Sequence, residues 1–257
     1  MEAKGSIGID IGSTTIKVVV LNNSKEILFS KVMPTETDIS GQIQNLMGGE
    51  LKNFINENLA IVSTGYGKEL VKEAKSRYTE ITCHLKGIYE EFKQGCTIVD
   101  IGGLDSKVIK CSDKGELLDF VMNDKCSAGT GRFLENMASR FRLDISKIGE
   151  IALKSERFQS ISSTCTVFAE SEIISLLAQG IDSGEILKGL HLSLVKRIKS
   201  MIKGIGFAPP LILSGGVSLN PAIREMIGNE LDTQPFLPEY PQLTAAYGAA
   251  LIGLQIL

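Results

Sequence analysis

The chain has 257 residues, a mass of 27.8 kDa and a formal net charge of −3 at pH 7. This balance leaves no large basic field to hold a phosphate backbone, which argues against nucleic acid as the main partner. The sequence contains no run of about 18 apolar residues and no apolar secretory segment after Met1, so we expect a cytoplasmic protein that does not cross a membrane. Its five cysteines then favour thiols or metal ligands over a disulfide framework.

Two segments of the chain resemble each other. Residues 10–19 (DIGSTTIKVV) can be laid over residues 100–109 (DIGGLDSKVI), and Asp, Ile, Gly, Lys and Val recur at matching places. Each copy is predicted to form a strand, a glycine-containing turn, a second strand and then a polar turn into a third strand. We therefore infer two similar halves, and the alternative is a chance likeness between two β-hairpins.

Helices and strands alternate along the rest of the chain, which is typical of an α/β protein. Helices are predicted over residues 38–58 with an interruption at Gly48-Gly49, and over 68–76, 131–141, 167–178, 183–203, 220–228 and 244–257; strands are predicted over 59–65 and 209–216, and residues 81–84 are also interpreted as a strand.

The two acidic turns carry the first chemical signal. A carboxylate at the end of a strand can hold Mg²⁺, while a turn of Gly, Ser and Thr offers N–H groups and hydroxyls to phosphate oxygens. We expect Asp10 and Asp100 to position Mg²⁺ and water. The phosphate contacts are expected from Gly12, Ser13, Thr14 and Thr15 on one side and from Gly102 and Gly103 on the other. A third turn, at Gly215-Gly216, together with Gln242, is expected to line a nucleoside pocket.

Lys17 and Lys107 each lie five positions beyond a turn glycine. Either they are solvated strand residues or they contact phosphate.

The order of these three turns resembles that of the superfamily of actin, the heat-shock chaperone ATPases and the sugar kinases. The resemblance implies two domains of ribonuclease-H-like topology with ATP in the cleft between them, here residues 1–95 and 96–257, with the C-terminal helix returning to the first domain. The sequence has neither a P-loop nor the glycine spacing of a dinucleotide fold at the acidic turns.

Two cysteines, Cys126 and Cys165, each lie just before a predicted helix. A helix N-terminus presents positive partial charge, which favours a thiolate and suits an anionic ligand. A buried, inert role remains open, because free cysteine often behaves as a small hydrophobic residue. Two such cysteines from each of two subunits would match the four ligands of a [4Fe–4S] cluster. Cys83 beside His84 is a weaker candidate for a redox or nucleophilic pair, since neighbours on a strand point to opposite faces.

The segments 64–67 (TGYG), 80–84 (EITCH), 122–126 (MNDKC), 128–135 (AGTGRFLE) and 163–172 (STCTVFAESE) resemble the activators of 2-hydroxyacyl-CoA dehydratases, which are similar to the ATP-binding subunits of benzoyl-CoA reductases. The resemblance runs from Gly8 to about Gly253. It implies a homodimeric ATPase that binds ATP or ADP, with one [4Fe–4S] cluster per dimer held by Cys126 and Cys165. It also implies one-electron transfer, driven by ATP, from ferredoxin or flavodoxin to a dehydratase or a related double-cubane reductase.

The chain departs from the family pattern at Leu104, where members usually carry Gln after the second Gly-Gly. Gln could hydrogen-bond a γ-phosphate or an attacking water and Leu cannot, so slower or differently organised hydrolysis is expected. Two rival interpretations are a small-molecule kinase of the N-acetylhexosamine type, with Asp100 or Asp105 as its base, and an actin-like assembly protein.

Overall fold

The computed structural model describes residues 5–56, 58–161 and 166–256. The chain divides into two compact units. The N-terminal unit comprises residues 1–94, 113–117 and 242–257, and the C-terminal unit comprises residues 95–112 and 118–241. None of the helices within the described ranges is long and apolar enough to cross a membrane.

The N-terminal unit contains a five-stranded sheet in the order β3-β2-β1-β4-β5. The strands are β1 (Gly5–Ile11), β2 (Thr15–Asn22), β3 (Ile27–Pro34), β4 (Leu59–Gly65) and β5 (Ser76–Arg77). Strands β1 and β2 are antiparallel, whereas β4 lies parallel to β1. Both β1 and β4 are buried along their whole length, and most of their residues are apolar or small (GSIGIDI and LAIVSTG).

Helices cover this sheet on both faces. They are α1 (Ile39–Gly48), α2 (Glu80–Phe92) and α8 (Thr244–Gly253). Helix α1 packs Ile43, Leu46 and Met47 against the apolar side chains of β1, while Ala246 and Ala250 of α8 pack against Val19 and Leu21 of β2. Small residues let α2 and α8 approach closely, since a Cβ at Gly248 would lie 1.8 Å from the carbonyl oxygen of Cys83.

The C-terminal unit contains a four-stranded sheet in the order β8-β7-β6-β9. Its strands are β6 (Cys96–Ile101), β7 (Ser106–Cys111), β8 (Leu117–Asn123) and β9 (Leu211–Ser214), and its helices are α3 (Gly131–Arg140), α4 (Ile148–Lys154), α5 (Thr166–Ala178), α6 (Ser183–Ile205) and α7 (Pro221–Leu231). The core of the unit lies between the sheet and these helices, where Val99 and Ile101 meet Phe133, Leu134 and Leu194.

Side-chain caps explain where several helices begin. The Asp38 carboxylate accepts a hydrogen bond from the N–H of Gly41 at 2.9 Å, and Asp182 caps α6 in the same way. Asn220 caps α7, and Pro221 occupies its first turn, where a missing N–H costs nothing.

The internal likeness between residues 10–19 and 100–109 is confirmed as a structural likeness. In both units, two antiparallel strands are joined by a tight turn, a third strand follows, and a parallel strand (β4 or β9) lies beside the first. Asp10 lies opposite Lys17 in the strand register, just as Asp100 lies opposite Lys107.

Some local predictions are wrong. Residues 68–76 form a short 3₁₀ turn at Lys68–Leu70 and lead into β5. Residues 81–84 belong to α2, not to a strand. The predicted helix over 38–58 ends at Gly48, where Gly49 donates its N–H to the carbonyl of Asn45. By contrast, α6 continues through Gly189. Glycine is required at this position, because a Cβ there would lie 1.7 Å from the carbonyl oxygen of Gln159.

Candidate functional site

The first acidic turn joins β1 to β2 in the N-terminal unit. Gly12 donates its N–H to the carbonyl of Thr15 at 3.1 Å, and its own carbonyl accepts the Thr35 hydroxyl at 2.9 Å. A Cβ at Gly12 would lie 2.8 Å from the Thr15 carbonyl oxygen, so the tight turn requires glycine. Ser13 is exposed and Thr14 is partly exposed, which leaves their hydroxyls accessible to a ligand.

Asp10 is the penultimate residue of β1, the buried strand that leads into this turn, and it is only 5% exposed. Its Oδ2 atom accepts a hydrogen bond from Lys17 Nζ at 2.9 Å. Its Oδ1 atom is buried and has no hydrogen-bond partner among the described residues. A buried carboxylate oxygen without a donor is costly unless a ligand, a metal or water satisfies it. Asp10 therefore has the acceptor capacity that a Mg²⁺-bound water or a Mg²⁺ ion would use.

The second acidic turn joins β6 to β7 in the C-terminal unit. Gly102 donates its N–H to the carbonyl of Asp105 at 2.9 Å, and a Cβ at Gly102 would lie 2.6 Å from Asp105 Oδ1. The carbonyls of this turn are occupied by the start of α3. Gly131 donates its N–H to Gly102 at 2.8 Å, and Arg132 donates to Gly103 at 2.7 Å. The turn and the N-terminus of α3 therefore form one hydrogen-bonded piece.

Asp100 belongs to a closed network of charges and hydroxyls. Lys107 Nζ lies 3.4 Å from Asp100 Oδ2 and 2.7 Å from Asp105 Oδ2. The hydroxyl of Ser214 donates to Asp100 Oδ1 at 2.9 Å. All three charged residues are buried, so Lys107 is not a solvated strand residue. Lys17 is paired with Asp10 and is mostly buried, so it is not solvated either.

The third turn begins at Gly215, directly after β9. Its φ of 81° lies in the left-handed region, and a Cβ there would lie 2.4 Å from the carbonyl oxygen of Ile101. Gly215 donates its N–H to Pro241 at 2.8 Å and accepts the Ser218 hydroxyl at 2.7 Å, while Gly216 opens a 3₁₀ turn. This places Gly215 beside Asp100 in the C-terminal unit. Gln242 belongs to the N-terminal unit, two residues before α8.

Cys126 lies in the loop between β8 and α3. Its carbonyl accepts a hydrogen bond from Asn123 Nδ2 at 2.8 Å, and its thiol is partly exposed. Thr130 donates both its hydroxyl and its N–H to the carbonyl of Ser127. The loop is thus held at both ends while the thiol stays accessible.

Cys165 lies outside the described residues, but Thr166, which follows it in sequence, begins α5. The hydroxyls of Ser127 and Thr166 share a hydrogen bond of 3.2 Å, in which either can donate. The residue after Cys126 therefore contacts the residue after Cys165 within one chain.

The other cysteines are buried structural residues. Burial raises the pKa of the Cys83 thiol to about 12. The neighbouring His84 accepts from or donates to the Thr244 hydroxyl through Nδ1 at 2.8 Å. A hydrogen bond with Cys111, together with burial, raises the pKa of the Cys96 thiol, and these two cysteines lie opposite each other on β6 and β7. A thiol with a raised pKa is a poor nucleophile, so the Cys83–His84 pair has no support.

The structure adds three residues that the sequence did not assign to the nucleotide or cysteine sites. Asp105 and Ser214 complete the network around Asp100, and Arg197 reaches Cys126 from α6. The sequence did contain a signal for the Asp–Lys ion pairs. In both hairpins the aspartate and the lysine are seven positions apart, which places them directly opposite each other across a short turn. Arg197 lies 71 positions from Cys126 and had no sequence signal.

Comparison with known proteins identifies close relatives. The sequence model of the BadF/BadG/BcrA/BcrD ATPase family matches residues 7–253. The activator of lactoyl-CoA dehydratase from Anaerotignum propionicum is 40% identical over 252 residues, covering 97% of each chain. The solved structure of the activator of the 2-hydroxyisocaproyl-CoA dehydratase from Clostridium difficile, with bound ADPNP, has a TM-score of 0.90 and 40% identity; the match covers 98% of this chain and 95% of that one.

A more distant likeness shows the fold alone. The ROK family glucokinase from Streptomyces griseus, solved with glucose and AMPPNP, matches 98% of this chain and 99% of its own with a TM-score of 0.59 at 16% identity. Together with the activator structure, it confirms the predicted α/β class and a fold shared with ROK family sugar kinases.

Proposed function

The chain belongs to the BadF/BadG/BcrA/BcrD ATPase family, and we propose that it is an ATP-hydrolysing activator that delivers single electrons to a partner iron–sulfur enzyme. The partner is a 2-hydroxyacyl-CoA dehydratase or a related double-cubane reductase, and the donor is ferredoxin or flavodoxin. The observation that carries the proposal is the hydrogen bond between Ser127 and Thr166, because it joins the two segments that bear Cys126 and Cys165. Relatives of nearly equal identity are named for different dehydratases, so the substrate of the partner is not part of the proposal.

The nucleotide part of the proposal rests on the acidic turns. Asp10 offers an unsatisfied buried oxygen, which fits a Mg²⁺ ion or its bound water. The hydroxyls of Ser13, Thr14 and Thr15 bind phosphate oxygens, and Gly12, Gly102 and Gly103 allow the phosphates to approach the two turns closely because they lack side chains. Gly215, Gly216 and Gln242 contact the nucleoside. Asp100 orients water and is held in place by Ser214 and Lys107. Catalysis of phosphoryl transfer consists mainly of such positioning and charge neutralisation.

The cysteine part rests on the Cys126 loop. A partly exposed thiol, held by its neighbours and not paired in a disulfide, suits a shared inorganic centre. Cys126 and Cys165 from each of two chains supply the four thiolates that a [4Fe–4S] cluster requires, so we propose a homodimer with one cluster. The bound cluster would supply a one-electron carrier.

The nucleotide-binding turn at Gly102-Gly103 and the Cys126 loop are coupled through α3. The turn at Gly102-Gly103 accepts hydrogen bonds from the first amides of α3, and the same helix begins five residues after Cys126. Nucleotide can favour one arrangement of this piece only by binding that arrangement more tightly. A displacement of the turn on phosphate binding would therefore move the N-terminus of α3 and the Cys126 loop together.

Anaerobic reconstitution tests the cysteine assignment. We expect the wild type to take up about four iron and four sulfide per two chains, as one [4Fe–4S] cluster requires. Cys126→Ala should abolish this uptake. Cys83→Ala is the matched control, because Cys83 is a buried cysteine outside the proposed site, and it should bind as much iron as the wild type. A Cys126→Ala protein with full iron content would refute the assignment.

The rival kinase function has support from the shared fold only. A colourless protein that transfers phosphate from ATP to the hydroxyl of an N-acetylhexosamine would favour it.

Light scattering under anaerobic conditions tests the proposed homodimer, since the proposal requires a mass of two chains for the iron-loaded protein.

A further inference from the structure

A cationic side chain from another element reaches the thiol of Cys126. Nη1 of Arg197 lies 3.9 Å from Sγ of Cys126, within hydrogen-bonding distance for sulfur. Arg197 belongs to the second half of α6, between the fully buried Leu194 and Ile198. Its backbone is therefore fixed by the core of the C-terminal unit, and only its side chain extends to the loop.

The loop is shaped to receive this side chain. Gly129 has a φ of 138°, and a Cβ added there would lie 3.4 Å from Arg197 Cδ and 3.5 Å from Asn123 Nδ2. The arginine stem thus passes directly over the Gly129 backbone. Because Asn123 also binds the Cys126 carbonyl, the loop fixes the cysteine backbone while Arg197 approaches its sulfur.

We infer that Arg197 is a positioning residue that raises the reduction potential of the cluster, an inference that rests on the proposed function. Its guanidinium donates a hydrogen bond to the Cys126 sulfur, and it would place a positive charge close to a cluster bound through that sulfur. Reduction adds one negative charge to the cluster and its four thiolates, so a nearby cation stabilises the reduced form more than the oxidised form. Hydrogen bonds to sulfur and local charge are two of the factors that set the potential of iron–sulfur clusters.

Other charges near the loop are less well placed for this role. Asp124 and Lys125, which precede Cys126, have exposed side chains, and so does Lys196, the neighbour of Arg197 on α6. Solvent and salt screen exposed charges more strongly than partly buried ones. Arg197 is partly buried and contacts the sulfur directly, so its charge acts at short range.

Anaerobic potentiometry on reconstituted variants tests the inference. Titanium(III) citrate gives one electron to each cluster and becomes titanium(IV), and no bond in the protein is made or broken. In Arg197→Met, which keeps the apolar stem but removes the charge, we expect the equilibrium between reduced and oxidised cluster to shift about tenfold toward the oxidised form, a potential about 59 mV lower for one electron. Arg197→Lys should recover at least half of this shift. Lys196→Met, the matched control on the same helix, should match the wild type.

Iron and sulfide analysis of each variant separates the outcomes. A wild-type potential in an Arg197→Met protein with full iron content would overturn the inference. If Arg197→Met loses iron, an Arg197→Lys protein that keeps its iron at a potential below the wild type supports the inference, and loss of iron from both variants overturns it in favour of a purely structural role. A wild-type protein that takes up no cluster would refute the proposed function itself, a result distinguishable from an unchanged potential.

Discussion

The two acidic turns have the same backbone and different electrostatics. Each places an aspartate opposite a lysine at the end of a buried hairpin, beside a parallel strand that ends in a glycine of positive φ. In the C-terminal unit, both oxygens of Asp100 are engaged and Lys107 serves two carboxylates. In the N-terminal unit, Lys17 serves Asp10 while Asp10 Oδ1 has no partner among the described residues. The two copies of the repeat thus differ: both carboxylate oxygens of Asp100 are hydrogen-bonded or ion-paired, whereas one oxygen of Asp10 can still accept a hydrogen bond or bind a metal.

Two side-chain differences explain this divergence. The position that corresponds to Asp105 is Thr15, so the N-terminal turn has one carboxylate fewer. Thr64 occupies the place of Ser214 in the strand register, but its hydroxyl donates to the carbonyl of Tyr78 at 3.1 Å and not to Asp10. From this difference we propose that Asp10 is the carboxylate that holds Mg²⁺, while the network around Asp100 fixes the second turn.

Removal of Lys107 is expected to have the largest effect. Lys107→Met would leave Asp100 and Asp105 buried without their cation, at a cost of about 3–5 kcal/mol in the free energy of unfolding. Lys17→Met is the matched control. It should cost less, about 1–3 kcal/mol, because Lys17 is partly exposed and only one buried carboxylate loses its cation. Urea unfolding measures both, and equal losses would contradict the comparison.

The C-terminal unit also buries His191, and the contribution of this residue to the free energy of unfolding depends on pH. Burial lowers its pKa to about 4, its Nδ1 lies 2.7 Å from the Leu187 carbonyl, and its Nε2 lies 2.9 Å from Asn220 Nδ2. The pKa of His191 is therefore near 6.5 in the unfolded state and about 4 in the folded state. Because the unfolded state binds the proton more readily, the contribution of neutral His191 to the free energy of unfolding is fully present above pH 6.5 and is lost as the pH falls toward 4.

We therefore expect the wild type to lose up to roughly 3 kcal/mol between pH 7 and pH 4 beyond what His191→Gln loses. Urea unfolding at each pH measures this difference. Parallel pH profiles for the two proteins would show that His191 is not buried in its neutral form.

Asp10→Asn tests whether the Asp10 carboxylate, with its unsatisfied Oδ1 atom, holds Mg²⁺. We expect it to lower the rate of Mg²⁺-dependent ATP hydrolysis about a hundredfold, about 2.7 kcal/mol in activation free energy, because the amide is neutral and coordinates Mg²⁺ poorly. Asp100→Asn, the matched variant, should lower the rate less and should destabilise the fold more, since it breaks the buried network. Equal losses of rate in the two variants would argue that both carboxylates hold the metal.

The smallest expected effect concerns the tip of the second turn. Leu104 is 37% exposed, so a longer polar side chain can be accommodated there. Leu104→Gln should raise the rate of hydrolysis about tenfold, because the amide can orient water at the phosphate. Thr14→Gln, at the corresponding position of the first turn, is the control and should not raise the rate. Steady-state phosphate release measures both variants.

Much of the fold could be predicted because the pattern was strong. The repeated hairpins, the strand over 59–65 and the helix at Gly131 follow clear apolar periods bounded by glycine. The run Ile81-Thr82-Cys83 looked extended, yet it is helical because Thr79 caps α2 and the buried face of α2 packs against α8. Such long-range packing is not visible in a local window.

The candidate site could be predicted in its turns but not in its electrostatics. Glycine, aspartate and threonine at strand ends indicated where phosphate and metal could bind. Whether an aspartate oxygen is free depends on the rotamers of Thr64 and Ser214 on another strand, and the contact of Arg197 with Cys126 depends on how α6 packs. These are consequences of tertiary structure that residue spacing does not specify.

Single-turnover electron transfer tests whether ATP drives the delivery of electrons from the cluster to the partner enzyme. The reconstituted and reduced protein is mixed anaerobically in a stopped-flow instrument with a 2-hydroxyacyl-CoA dehydratase, the proposed partner, in the presence of Mg²⁺ and either ATP or ADP. We expect the cluster absorbance of the oxidised form to return with ATP, with one electron delivered per two chains, whereas ADP should leave the protein reduced. Equal rates of reoxidation with ATP, with ADP and without nucleotide would contradict this expectation.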